Sequence, residues 1–210
     1  TSGAGAAVVG DVVTDSRTLK PGDLFVALRG PRFDGHAFAT EVLERGAVGV
    51  IVERGRAAGD ARVIEVENTL TALQSLAHAV RTAVGTRVIA ITGSAGKTTT
   101  KEAIAAVLAT RYRVVKNKGN LNNHIGLPLS LMQLRTAPDV AVMELGMNHA
   151  GEISRLVAIA EPEVRMWTNV GDAHLGFFES ADAIADAKAE ILEGATADSG
   201  LVCNADDARI

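Results

Sequence analysis

Aromatic side chains are scarce: 3% of 210 residues, with one tryptophan and one tyrosine. A core must therefore be assembled from Ala, Val, Leu and Ile, which the 47% apolar content can supply. A single cysteine, Cys203, excludes an intramolecular disulfide and fits a reducing compartment. Positive charge is not in excess, since the net charge is −4. That argues against nucleic acid or an anionic membrane as the main partner. No apolar run reaches the length of a membrane span and no signal-peptide pattern is visible, so the cytoplasm is the default expectation, with a monomer as the expected state. The start, Thr1-Ser-Gly-Ala-Gly, and the end, just after GLVCNADD, both read as cut, so a fragment is expected.

The most informative stretch is RVIAITGSAGKTTTKEAIAAVLA, residues 87–109. A β-branched run, Val88 to Ile91, leads into Gly93-Ser94-Ala95-Gly96 and then Lys97, Thr98 and Thr99. Apolar residues at Ala103, Ile104, Val107 and Leu108 follow with helical spacing. This predicts strand, phosphate-binding loop and helix. Glycines let the backbone approach an anion, successive N–H groups can point at phosphate oxygens, and the helix N-terminus adds partial positive charge. Lys97 would reach the outer phosphates and the Thr98 hydroxyl would ligate Mg²⁺. The loop is shorter than G-x-x-x-x-G-K-[ST]: the position five before Gly96 is Ile91. The bland alternative is a Gly/Ser turn with a surface lysine, but the order of the three pieces favours nucleotide binding.

Around this stretch the pattern alternates strand and helix. Strands are predicted at 8–13, 23–28, 48–53 and 62–66, with helices at 36–45 and 69–84. Asn68 is the expected N-cap of the second helix and Gly46 the C-terminal glycine of the first. Beyond residue 85 strands are expected at 113–115, 139–145, 164–169 and 201–204, with helices at 152–160 and 180–193. A polar, glycine-rich loop spans 116–128, and 130–134 continues a helix. The expected class is α/β: a small α/β domain over 1–84, then a P-loop-type, mostly parallel-sheet domain over 85–210.

In open α/β sheets ligands gather at the carboxyl ends of strands. Four groups fall there: the 93–99 loop, the Asn117–Asn123 loop, Glu144 and His174. Glu144 ends the apolar strand DVAVM, which suits delivery of an acid to the nucleotide's Mg²⁺; its alternative is a helix cap. His174 follows VRMWTNV and is a candidate metal ligand. For His124 and His149 a hydrogen-bonding role and substrate contact stand level. His36 and His78 read as structural or exposed, Trp167 as core, and Lys188, by spacing alone, as a solvated helix lysine.

TGSAGKTTTKE, GNLNNHIGLPLSLM, ELGMNHAGEI, TNVGDAHLGFF and AKAEIL, in this order, resemble the Mur ligases. Within that family they are most similar to the type that joins D-alanyl-D-alanine to UDP-N-acetylmuramoyl-tripeptide. TDSRTLKPGDLFVALRGPRFDGHAF resembles the family's UDP-substrate domain, shared with the type that adds lysine or diaminopimelate. The resemblance implies ATP-driven amide synthesis in peptidoglycan precursor assembly. The peptide carboxylate attacks the γ-phosphate, and the amine then attacks the resulting acyl phosphate. It also implies that Thr98 and Glu144 hold one Mg²⁺, that Glu144 and His174 help hold a second, and that Lys188 is carbamylated and serves as a metal partner. Asn122 and Asn123 would line the reaction channel, against a bland role in turn formation. UDP recognition is implied around Asp15-Ser16-Arg17 and Phe33-Asp34-Gly35-His36, where the bland reading of Ser16-Arg17 is a turn with a surface arginine. The family's third domain has no counterpart in these residues, so the chain alone is expected to be inactive. A non-ligase P-loop switch or kinase is the alternative from another class.

Overall fold

Strands alternate with helices along the chain, and that order dictates parallel pairing by crossover connections. The structure, a computed structural model, describes residues 8–31, 33–56, 59–171, 176 and 178–210. Among the described residues the strands form two all-parallel sheets, one in each of two compact units, Thr1–Leu73 and Gln74–Ile210.

The first unit carries β1 (Val12–Val13), β2 (Leu24–Val26), β3 (Gly49–Glu53) and β4 (Val63–Val66), in that spatial order. Helix α1 (Ala39–Glu44) contacts β3, and Phe25, Ala27, Val42, Leu43, Val50 and Val52 form the core. The strand expected over 8–13 is only β1, because the preceding backbone is bound elsewhere. Gly10 N–H donates to Gly22 O and Asp11 N–H to the Asp23 carboxylate, both at 2.8 Å. The helix expected over 36–45 opens as a 3₁₀ turn, Gly35–Phe38, because Asp34 accepts the His36 N–H at 3.1 Å and sets a tight first turn.

Helix α2 (Thr69–Ala83) starts where expected, with Asn68 Oδ1 accepting the Thr71 N–H at 2.8 Å. The division between units falls inside this helix rather than after residue 84. Its second half is tied to the second unit: buried Arg81 donates to Ala160 O at 2.7 Å and to Glu161 O at 2.8 Å.

The second unit contains β5 (Arg87–Thr92), α3 (Lys97–Leu108), β6 (Val114–Lys116), α4 (Gly126–Leu131), β7 (Val140–Glu144), α5 (Glu152–Ala160), β8 (Val164–Trp167), α6 (Ala181–Ala189) and β9 (Gly200–Cys203). The strand order is β6-β7-β5-β8-β9. The step from β5 to β6 runs one way across the sheet, whereas β6 to β7, β7 to β8 and β8 to β9 run the other way. Right-handed crossovers therefore put α3 on one face and α4, α5 and α6 on the opposite one. Consistent with this, Ile104, Ala105 and Leu108 of α3 pack on Ile89, Ile91, Val140 and Val142, while α5 contacts both α4 and α6. The reversal occurs at β5, so the crevice above its carboxyl end is the place for a ligand. Helix α4 starts at Gly126, inside the stretch read as loop. Asn123 Oδ1 accepts the N–H groups of Ile125 and Gly126, and Pro128 sits in the first turn, where its missing N–H costs nothing. No described helix is long and apolar enough to cross a membrane.

Candidate active site on the second unit

Four parallel strands deliver their carboxyl ends to one rim, and the loops that follow them are stitched together there. After β5, Gly93 and Gly96 adopt φ of 148° and 79°, conformations that L side chains rarely take. A Cβ on Gly93 would also collide with Thr168 Oγ1, just beyond β8. The β8 end clasps the loop: Thr168 Oγ1 donates to Ala95 O at 2.8 Å, Asn169 O accepts the Ser94 N–H at 3.0 Å, and Asn169 Oδ1 accepts the Ala95 N–H at 2.8 Å. Two loop amides expected to face phosphate are thus engaged by Asn169. The first helical bond is Thr100 N–H to Gly96 O. The amides from Gly96 to Thr99 therefore have no partner within α3 and are the donors an anion would meet.

Lys97 folds over this loop, donating to Gly93 O at 2.7 Å. Burial lowers its pKa, and the charge of Glu144 opposes that shift. Thr98 Oγ1 donates to Glu144 Oε2 at 2.8 Å, and Asn122 Nδ2 donates to Glu144 Oε1 at 2.7 Å. With its proton committed to Glu144, the Thr98 hydroxyl keeps its lone pairs for a cation. Hydroxyl and carboxylate oxygens side by side are hard donors and fit Mg²⁺. Among the described residues no group of three His, Cys, Asp or Glu could hold a metal by itself.

A cavity of about 340 Å³ lies over this rim and brings together Gly93, Lys97, Asn122, Asn123, Glu144 and Lys188. Spacing alone made Lys188 a solvated lysine, and the structure corrects that: it is 1% exposed in α6. Burial, reinforced by the Lys97 charge, lowers its pKa to about 8. Asn123 lines the cavity while capping α4, so its turn-forming role is realised as well. His124 also lines the cavity. His149 lies just beyond it, its N–H on the Glu152 carboxylate at 3.3 Å. His174 lies outside the described residues. Sequence reasoning missed Thr168, Asn169 and Lys101, and named Asn117 only as the start of the rim loop 117–123. The first two stood in the quoted TNVGDAH, directly after a strand, and could have been marked as rim groups.

The first unit has its own groove of about 480 Å³, lined by Asp15, Ser16, Arg17, Phe33, Gly35 and Phe38 among others. Asp15 caps the 3₁₀ turn Ser16–Thr18, and its carboxylate meets the Arg17 guanidinium at 2.6 Å. That hydrogen-bonded partner lowers the Asp15 pKa to about 2. Phe33 is exposed, Asp34 pairs with Arg56 and His36, and His36 is buried with Nε2 accepting the Glu53 N–H at 3.0 Å. The His36 ring therefore braces the loop from inside.

Residues 91–210 match the family model described as Mur ligase middle domain, and residues 9–81 match Mur ligase family, catalytic domain. The UDP-N-acetylmuramoyl-tripeptide–D-alanyl-D-alanine ligase of Bacillus subtilis is 45% identical over 95% of this chain, and that of Escherichia coli is 43% identical over 93%. The chain spans only 44% and 43% of the lengths of those relatives. Among solved structures, MurF from Acinetobacter baumannii superposes with a TM-score of 0.88 at 40% identity, covering 94% of this chain and 44% of its own. MurF from Thermotoga maritima in complex with ADP gives 0.88 at 36% identity, covering 96% and 47%. A glycine-bent loop latched between β5 and β8, with an acid at the end of β7, thus occurs in a chain nearly all of which aligns with part of these proteins: it belongs to the Mur ligase family.

Proposed function

We propose that this chain is the nucleotide-handling part of an ADP-forming ligase that joins D-alanyl-D-alanine to UDP-N-acetylmuramoyl-tripeptide in cytoplasmic peptidoglycan precursor synthesis. The observation that carries the reading is the Thr98–Glu144 contact at 2.8 Å beside the Gly93–Gly96 loop. It joins an anion cradle to a pair of hard oxygen donors, of which Glu144 lines the cavity. The amides from Gly96 to Thr99 and the Lys97 ammonium would neutralise ATP phosphates, and Lys97 must leave Gly93 O to do so. Thr98 and Glu144 would hold one Mg²⁺, and Glu144 with His174 would help hold a second. Such an ion supplies charge neutralisation between the peptide carboxylate and the γ-phosphate, two anions that repel. Asn122 and Asn123 line the wall where these groups would meet, and positioning there lowers the barrier to acyl phosphate formation.

Lys188 fits carbamylation. A buried amine with pKa near 8 is substantially neutral at mildly alkaline pH, and a neutral amine attacks CO₂ and releases one proton. The product is an anion beside Lys97, which relieves the repulsion between two ammonium groups. The groove of the first unit, with Arg17 and exposed Phe33, would take the UDP end of the substrate.

Phosphate release by the full-length protein tests the reading. Release should require ATP, Mg²⁺, UDP-N-acetylmuramoyl-tripeptide and D-alanyl-D-alanine together. Turnover with free lysine or diaminopimelate instead would move the assignment to the other ligase type. Hydrolysis indifferent to the UDP substrate would favour a P-loop switch and remove the ligase reading.

A further inference from the structure

Lys101 is fully buried in α3, one turn past Thr98, and the roles assigned so far do not use it. Lysine is rarely buried completely, because withdrawing an ammonium from water is costly unless compensated. Its Nζ donates to Asn117 O at 2.9 Å and stands 3.8 Å from Glu144 Oε2 and 3.6 Å from Glu102 Oε1. Asn117 is fully buried too, and its amide grips the Glu144 backbone on both sides. Nδ2 donates to Glu144 O and Oδ1 accepts the Glu144 N–H, each at 3.0 Å. The same Nδ2 donates to Leu121 O at 3.0 Å. Lys101 does not line the cavity, so its charge lies behind the carboxylate rather than in the site.

These contacts link the three elements whose side chains meet at the Glu144 carboxylate: α3 with Thr98, the 117–123 loop with Asn122, and β7 with Glu144 itself. An apolar residue of similar length would fill the space in α3 without the desolvation penalty. What an ammonium adds is a direction, because it draws Glu144 Oε2 toward α3, where Thr98 donates to the same oxygen. We infer that Lys101 and Asn117 form a positioning pair that presents Glu144 and Thr98 together to the divalent cation arriving with the nucleotide. This rests on the reading above for the identity of nucleotide and cation. Neither residue touches the reacting atoms.

The test is ADP binding to the full-length protein by calorimetry, with Mg²⁺ and with chelator. In the wild type Mg²⁺ should tighten ADP. Lys101→Met should raise the Mg²⁺ concentration needed for that tightening by about tenfold or more, the usual scale for losing a residue that orients a metal ligand. Its chelator-measured ADP affinity should stay within about twofold, since Lys97 and the loop amides are untouched. Asn117→Ala cuts the same link elsewhere and should show the same selective loss. If Lys101→Met loses its cooperative thermal transition, Lys101→Gln and Asn117→Ala carry the measurement. Folded variants with unchanged Mg²⁺ dependence, or with equal losses in both conditions, would overturn the inference, as would a wild type whose ADP binding ignores Mg²⁺. A protein that couples Mg²⁺ to ADP yet shows no D-alanyl-D-alanine-dependent phosphate release would remove the ligase reading and leave this one standing.

Discussion

The two units present their candidate groups in opposite ways. In the first, Asp15 and Arg17 pair two residues apart at the surface, and the Arg17 side chain is 86% exposed. In the second, Glu144 is 3% exposed and its partners Thr98, Asn122 and Lys101 come from distant segments of chain. A local, solvated pair adds little to stability and is free to be exchanged for a ligand. A buried, long-range set is part of the fold, so function and stability cannot be separated there.

The strongest way to break this contrast is Glu144→Ala. It strands the Lys101 ammonium in the interior and leaves Asn122 Nδ2 without its acceptor. Unfolding free energy should fall by about 3–5 kcal/mol, the range for removing one partner of a buried pair. Urea denaturation measures it, and a loss below about 1 kcal/mol would mean the site is not woven into the fold.

Lys188 sharpens the comparison from the other side, as a buried charge that weakens the fold. Its folded pKa, about 8, lies below the ordinary lysine value of 10.5. Between these values the unfolded chain binds more protons, so stability should rise with pH across that window. Below pH 8 both states are charged and the penalty is fully present. Lys188→Met should therefore stabilise the protein by up to about 3 kcal/mol near pH 7, a gain that shrinks toward pH 10.5. Carbamylation reverses this expectation. Purging CO₂ before denaturation distinguishes the two, because a carbamate-dependent wild type would lose stability on purging.

Gly93→Ala comes next. The strained φ of 148° and the collision with Thr168 Oγ1 should cost about 1–3 kcal/mol and displace the loop from its β8 clasp. Binding of ADP should weaken by at least about tenfold. Unchanged affinity would show that the loop geometry does not set the nucleotide site.

The same contrast explains what could be read from sequence. The 93–99 loop, its strand and its helix were legible because all three signals lie within a short span. Asn68 as a cap and Glu144 as a strand-end acid were legible for the same reason. Lys188 was not, since burial of a helix lysine depends on what packs over α6, and AKAEIL alone fits a solvated face. Lys101 was hidden because it looks ordinary in its own segment, a lysine after a threonine run, and Asn117 was placed at the rim only as part of a polar loop. Their meaning arises only when β6 and β7 lie side by side. The start of α4 was misjudged because Pro128 marks a break in most contexts and becomes harmless only in a first turn.

Arg17→Ala is the mildest perturbation and isolates the first unit. Asp15 retains its cap on the 3₁₀ turn without the guanidinium, since the Arg17 backbone N–H donates to Asp15 Oδ1 at 3.0 Å and an alanine keeps that donor. The denaturation midpoint should therefore stay within experimental scatter. If the groove takes the UDP end of the substrate, the KM for UDP-N-acetylmuramoyl-tripeptide should rise about tenfold, as for one lost hydrogen bond to a charged group, while the KM for ATP is unchanged. The Asp15 carboxylate keeps its charge down to about pH 2, so the effect should be flat across the working pH range. A rise in the ATP KM instead would mean that Arg17 serves the nucleotide, and the separation of roles between the two units would have to be redrawn.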